Sequence, residues 1–236
     1  MIAILDCRTP KVTLKALEER GFETILMPPH PALPAPVASH PDLLLFLTES
    51  ECLTTRSYER IAQPILCEIA QKTGRKIIFC DEEFGNQYPK DILLDAAKIG
   101  EHLICYPDHT SKKVLEHFPS TVIPVRQGYA KCSCVPVSDN ALITADRSIE
   151  NAAKAVGFSV LLIEGGNVEL PGYNTGFIGG AASCSLKKDL NEIYFCGDLD
   201  RHPNSEEIRA FCQRYGKHAV SLGDFPLTDV GTMFLL

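Results

Sequence analysis

Two cysteines flank one serine in Lys131-Cys132-Ser133-Cys134-Val135-Pro136-Val137, a stretch that otherwise reads as a strand. Thiols so placed offer four chemistries: metal ligation, a disulfide, a nucleophile, or simple core filling. Residues two apart on a strand share a face about 7 Å along it, the outer edge of disulfide reach, so a local bridge is disfavoured. The chain has ten cysteines but no C-x-x-C pair, so the strong zinc signature is absent and the pair has no obvious partner ligands. Most of the cysteines sit singly in apolar runs, such as Leu66-Cys67-Glu68-Ile69, Ile78-Phe79-Cys80 and Leu103-Ile104-Cys105. Buried free thiols of a reducing compartment have that distribution.

Other chemically capable groups recur at the heads of apolar runs. His40-Pro41-Asp42, Asp91 and Asp229 each open one. Carboxylates gathered in one place repel unless a cation or protonation relieves them, so a converging set would bind a cation; the plainer role is capping of turns. His40, two residues before Asp42, is a candidate general base. Pro41 between them fixes the backbone and removes one ladder hydrogen bond. The other six histidines fall on helices and turns and read as surface or capping residues.

Composition narrows the partners. The chain has 236 residues, 45% hydrophobic and 22% charged, with a formal net charge of −7 and no tryptophan, which suits a globular protein with a sizeable core. No basic stripe appears, which argues against nucleic acid, because phosphate contacts need clustered positive charge. The N-terminal apolar run Met1–Leu5 is too short for a signal peptide, and no run approaches the roughly 18 apolar residues of a membrane span. The expected setting is cytoplasmic, without membrane association.

The elements that must position these groups repeat. Five amphipathic helices are expected, near residues 9–20, 58–72, 109–118, 147–156 and 204–215, each followed by an apolar strand. Ser, Thr, Asp or Asn opens most of them and Gly closes four. A strand precedes most helices directly, and a further strand lies upstream, opening at a small polar step. The third residue of each step is 42, 91, 132, 174 and 229. The intervals are 49, 41, 42 and 55, with 49 more across the termini, which accounts for the whole length. The expectation is one α/β domain, 1–236, of five ββαβ units in a ring, with Gly231–Leu236 completing the unit that Met1 begins. A doubly wound α/β sheet is the alternative. The second unit fits least well: its middle strand is hard to place between Thr48 and Tyr58, and Pro64 interrupts its helix.

Glu164-Gly165-Gly166-Asn167-Val168, followed by Gly172-Tyr-Asn174-Thr-Gly-Phe-Ile-Gly-Gly180, makes a resemblance specific. It is similar to the Glu-Gly-Gly-Asp-Val stretch and Gly-rich strand of guanidine-modifying penteins, five-bladed α/β propellers that include arginine deiminases, dimethylarginine dimethylaminohydrolases and amidinotransferases. The motif covers about 17 residues, and the repeat architecture covers the whole chain. The resemblance implies a funnel at the ring axis where carboxylates bind a guanidinium fork, a thiolate attacks its carbon and a histidine shuttles protons.

Carried onto this chain, Asp42, Asp91, Cys132, Asn174 and Asp229 would line the funnel, with Glu164 and Asn167 at its rim. Cys132 and His40 would be catalytic, and Lys131 or Arg126 would meet a substrate carboxylate. The sequence departs from the family at Asn167, where an aspartate is usual. It also departs at Leu227-Thr228-Asp229 and His40-Pro41-Asp42, which stand where the enzymes keep their histidine and cysteine. The implied function is a hydrolase or amidinotransferase-like protein for a small cationic guanidino or amidino compound, with no cofactor or metal, and with a homodimer as the candidate assembly. The alternative is a non-catalytic pentein binding module, like the ribosome anti-association initiation factor.

Overall fold

The computed structural model describes residues 1–187 and 189–236. β1 (Ile2–Asp6), α1 (Lys11–Glu18) and β2 (Glu23–Met27) form the first strand–helix–strand passage. After α2 (Pro41–Leu44), β3 (Phe46–Leu47) pairs antiparallel with β4 (Glu51–Thr54), and α3 (Arg56–Thr73) leads to β5 (Lys76–Phe79). The next unit is β6 (Ala97–Ile99), β7 (His102–Cys105), α4 (Lys112–Glu116) and β8 (Val122–Pro124). Then come β9 (Cys134–Ser138), β10 (Ala141–Thr144), α5 (Arg147–Ala155) and β11 (Ser159–Leu162). The last are β12 (Ser183–Ser185), β13 (Glu192–Phe195), α6 (Ser205–Arg214), β14 (His218–Ser221) and β15 (Met233–Leu235).

Every helix from α3 to α6, and α1, crosses between two parallel strands, as a parallel pairing requires. An antiparallel strand lies outside the parallel pair in the same way in β3–β4, β6–β7, β9–β10 and β15–β1. In the remaining case, Ala182 beside β12 bridges Phe195 of β13, and β12 itself lies parallel to β15. The first and last strands therefore share a sheet: Ala3 faces Leu235, and Ile2 and Leu236 exchange two 2.8 Å backbone bonds.

Local chemistry explains the elements. The Asp146 carboxylate takes the N–H groups of Ser148 and Ile149 at the head of α5, and the Thr55 hydroxyl takes that of Tyr58 in α3. The middle strand of the second unit, hard to place from the sequence, is Glu51–Thr54. Pro64 does not end α3: the helix runs on to Thr73 by letting Ala62 leave helical geometry at φ −119°, ψ 20°. Two further expectations are corrected. His40-Pro41-Asp42 opens a helix rather than a strand, with Pro41 in the first turn, where a missing N–H costs nothing, so no ladder bond is lost. Lys131–Ser133 forms a turn closed by Ser133 N to Tyr129 O (3.0 Å) and Cys134 N to Lys131 O (3.1 Å), so Cys132 and Cys134 do not share a strand face.

The largest apolar cluster packs Leu43–Leu47 of the α2–β3 segment against Tyr58, Leu66 and Ile69 of α3. Seven of the ten cysteines are buried free thiols; Cys67, read as buried, is exposed on α3. His30 and His202, read as surface or capping residues, are buried, each ring Nδ1 taking a backbone N–H two residues on. Among the described residues, no helix is long and apolar enough to cross a membrane.

Candidate active site

The segments just before β3, β6, β9, β12 and β15 converge. The first brings His40 and Asp42, the second Asp95, the third Lys131 and Cys132, the fourth Gly179 and Gly180, the fifth Asp229 and Thr232. Asp95 and Cys132 each stand two residues before the first residue of their strands.

Cys132 is at the centre, 2% exposed. Its Sγ lies 3.0 Å from Asp42 Oδ2 and 3.2 Å from Asp95 Oδ2. One S–H cannot donate to both carboxylates at once, so the pair shares a proton deficit that burial makes costly. Burial, then the charge of Asp42, pushes the Asp95 carboxyl well above the usual range. Burial, then the charges of Asp42, Asp95 and Asp229, pushes the Cys132 thiol up as well, so it rests neutral. Asp95 is fixed through its other oxygen, which accepts the N–H groups of Lys131 (2.5 Å) and Cys132 (3.3 Å).

Thr232 ties the cluster to the last segment. Its hydroxyl faces Asp42 Oδ2 at 2.7 Å and the Gly179 carbonyl at 3.0 Å, and it takes the Lys131 ammonium at 3.1 Å. The residue holds φ 61°, a strained setting for a β-branched side chain and one found where surroundings over-determine it. His40 lies between two further buried carboxylates, Nε2 at 3.9 Å from Asp6 Oδ2 and Nδ1 at 3.8 Å from Asp229 Oδ1. Asp6 is neutralised by Arg8 and accepts the Ser39 hydroxyl. Asp229 takes the N–H groups of Phe177 (2.8 Å) and Gly231 (3.0 Å); burial raises its carboxyl and His40 opposes that rise.

The fourth segment contributes backbone only. Gly180 N–H donates to the Cys132 carbonyl at 2.9 Å, and a Cβ at Gly180 would collide with the Asp229 carboxylate. Two buried atoms in the cluster, His40 Nδ1 and Asp42 Oδ1, have no hydrogen-bond partner among the described residues. A cavity of about 370 Å³ reaches the cluster at Asp42 and Lys131; Leu94, Ala96, Pro136 and Phe234 are among its walls.

The expected residues are partly brought together. His40, Asp42, Cys132 and Asp229 meet, and Lys131 joins them. Asp91 stands apart, its Oδ2 taking the Tyr129 hydroxyl at 2.6 Å; the register mark in that unit slips by four residues, and Asp95 holds the place expected of it. Asn174 is exposed and does not join the cluster, because the strand expected there begins only at Ser183. Glu164 and Asn167 are exposed and line a separate cleft of about 170 Å³ with Thr175, Phe177 and His202. Arg126 is exposed. Sequence reasoning missed Asp6, Asp95 and Thr232. Asp95 carried a signal, a carboxylate inside the apolar run Ile92-Leu93-Leu94-Asp95-Ala96-Ala97.

A family model described as a family of unknown function (DUF6873) matches residues 4–234. No curated protein matches the sequence. Among solved structures, dimethylarginine dimethylaminohydrolase from Pseudomonas aeruginosa, complexed with citrulline, aligns over 93% of this chain and 91% of its own, at 10% identity and a TM-score of 0.55. Agmatine deiminase from C. jejuni aligns over 94% and 87%, at 8% identity and 0.55. SxtG, an amidinotransferase of the saxitoxin biosynthetic pathway from Microseira wollei, aligns over 93% and 87%, at 11% identity and 0.50. At these identities the likeness is one of fold.

Proposed function

We propose a function for a chain that belongs to the DUF6873 family and has the pentein fold: it binds a small guanidino or amidino cation in the Asp42–Cys132–Asp95 cluster and modifies it through Cys132. We also read the five strand–helix–strand passages as five blades of one ring in a single domain. The repeated pairing pattern and the shared sheet of β1 and β15 support that reading.

One observation carries the functional reading: the buried Cys132 thiol lies beside two carboxylates, 3.0 and 3.2 Å away, in a cluster that a cavity reaches at Asp42. A guanidinium is a planar fork of N–H donors matched by such a pair. With the cation seated, its N–H groups bond to Asp42 and Asp95, including the unpartnered Asp42 Oδ1, and its carbon faces Sγ. The positive charge favours ionised carboxylates and thiolate, reversing the effect that holds the thiol neutral in the free protein.

The thiol proton passes to His40, whose ring nitrogen is within 4.8 Å of the Cys132 and Asp42 ligand atoms. Thiolate attack forms a C–S bond. The C–N bond to the leaving amine breaks as His40 returns the proton, leaving a thiouronium on Cys132. Water then attacks as His40 takes one of its protons, the C–S bond breaks, and the sulfur leaves with the electron pair and recovers that proton, the second proton passing to solvent; a second amine in place of water gives transfer. The experiment is a panel of guanidino compounds assayed for ammonia, urea or amine release by the wild type and Cys132→Ala. Release that Cys132→Ala abolishes supports the reading, and no release across the panel removes its catalytic part.

A second reading is favoured by the closure of the cluster. Cys132 and Asp95 are nearly inaccessible, and a thiol held neutral is a poor nucleophile. On that reading the chain is a pentein binding module without turnover, and the panel gives binding but no product.

A further inference from the structure

Beyond the guanidino reading, and independently of it, we propose that His40, Asp42 and Cys132 form a site for a thiophilic divalent cation such as Zn²⁺, with Asp95 as fourth ligand. A ring nitrogen, a carboxylate oxygen and the sulfur of these three buried residues all lie within 4.8 Å of one another. The atoms around a tetrahedral zinc stand roughly 3.3–3.7 Å apart for bonds of 2.0–2.3 Å, so side-chain shifts of about 1 Å close His40, Asp42 and Cys132 around the ion. The Asp42–Cys132 and Asp95–Cys132 separations, 3.0 and 3.2 Å, are slightly shorter than that range, so both carboxylates need only move outward from the sulfur.

Two observations point to an occupant rather than to packing. His40 Nδ1 and Asp42 Oδ1 are buried and make no hydrogen bond among the described residues; Asp229 Oδ1, 3.8 Å from His40 Nδ1, is beyond hydrogen-bond reach. Buried polar atoms of this kind are rarely left unpaired. The carboxylates of Asp42, Asp95 and Asp229 also crowd a space where the Lys131 ammonium is committed to Thr232 Oγ1 (3.1 Å) and the Cys134 carbonyl (3.4 Å). A dication relieves that crowding. The donor set selects the metal: thiolate with imidazole and carboxylate suits Zn²⁺ or Co²⁺, whereas Mg²⁺ and Ca²⁺ take oxygen. On binding, the Cys132 S–H bond breaks, the sulfur keeps the electron pair and donates it to the metal, and the proton leaves to solvent. A loaded site masks the thiol.

The test uses the full chain, stripped with a chelator and titrated anaerobically with Co²⁺, with Zn²⁺ then displacing it. The expected result is one equivalent of cobalt, a near-ultraviolet thiolate-to-cobalt charge-transfer band, and loss of Cys132 alkylation. Cys132→Ser abolishes the band and weakens zinc more than about 100-fold, beyond the loss typical of an outer-shell partner. His40→Ala weakens zinc comparably and keeps a band, while Cys67→Ser changes nothing. If Cys132→Ser does not fold, Asp42→Asn, which keeps the thiol, still weakens zinc at least about tenfold in competition with a chelating dye. The proposal is overturned by the absence of a band, by a band that follows Cys67 or Cys7, or by zinc affinity unchanged in Asp42→Asn. No outcome depends on turnover, so failure of the guanidino reading leaves this one standing or falling alone.

Discussion

Cys132 Sγ and Asp42 Oδ2 lie 3.0 Å apart across 90 residues of sequence. Their contact joins the head of a helix to a turn before an edge strand, and it sets the properties of both groups. Burial and the neighbouring carboxylates hold the thiol in its neutral form, an effect that positive charge nearby would oppose.

Asp95 separates charge from hydrogen bonding. Asp95→Asn keeps an oxygen for the N–H groups of Lys131 and Cys132 and replaces a carboxyl already pushed toward its neutral form, so urea unfolding should show a change below about 1 kcal/mol. Asp95→Ala strands both N–H groups and should cost about 2–3 kcal/mol. Equal losses in the two variants would show that the carboxylate charge, not its geometry, matters to the fold.

Thr232 tests the strained corner. Thr232→Val keeps the shape but leaves Lys131 Nζ and Asp42 short of a partner, with an expected loss of about 2–3 kcal/mol. Thr232→Ser retains the hydroxyl and drops the branch disfavoured at φ 61°, and should lie within about 1 kcal/mol of wild type. A Val variant as stable as Ser would remove the hydroxyl from the account.

Gly180 and Gly165 should respond oppositely. A Cβ at Gly180 meets the Asp229 carboxylate, so Gly180→Ala should cost about 3 kcal/mol or more. A Cβ at Gly165 meets only Ala145 Cβ, at 3.8 Å, so Gly165→Ala should stay within about 0.5 kcal/mol in thermal unfolding. Comparable melting shifts would contradict the packing described here.

Asp146 gives a pH signature. Burial pushes its carboxyl up, but bonds from Ser148, Ile149 and Gln127 outweigh that and hold it below the usual range. A lowered folded value means stability present above the unfolded value and lost as pH falls through the folded one. Asp146→Ala should therefore cost about 1 kcal/mol at neutral pH, and the gap should close in acid. A gap independent of pH would assign the effect to helix propensity instead.

The strand–helix–strand passages were legible because polar steps, apolar runs and helix caps mark them in the sequence directly. The pairing of Ile2–Asp6 with the last strand follows from the same bookkeeping. The site was legible only where side chains head a segment of regular length: His40, Asp42, Cys132 and Asp229. Asp91 was preferred to Asp95 because a turn of several residues precedes β6, and local spacing does not reveal how many residues a turn consumes. Asn174 failed for a like reason: a Gly-rich loop, 172–180, stands where a strand was expected, and glycine backbone takes the space a side chain was meant to fill. Thr232 was invisible because its role rests on a backbone conformation that no residue pattern announces.

The most direct test of the central claim compares chloroacetamidine with its uncharged isostere chloroacetamide, following modification of Cys132 and of exposed Cys67 by peptide mass spectrometry. The account predicts that the amidinium is guided by Asp42 and Asp95, so the cationic reagent's advantage at Cys132 should exceed its advantage at Cys67 by at least about tenfold, or about 1.4 kcal/mol. It also predicts that Asp42→Asn abolishes the excess. Equal advantages at the two cysteines, or an excess untouched by Asp42→Asn, would contradict it.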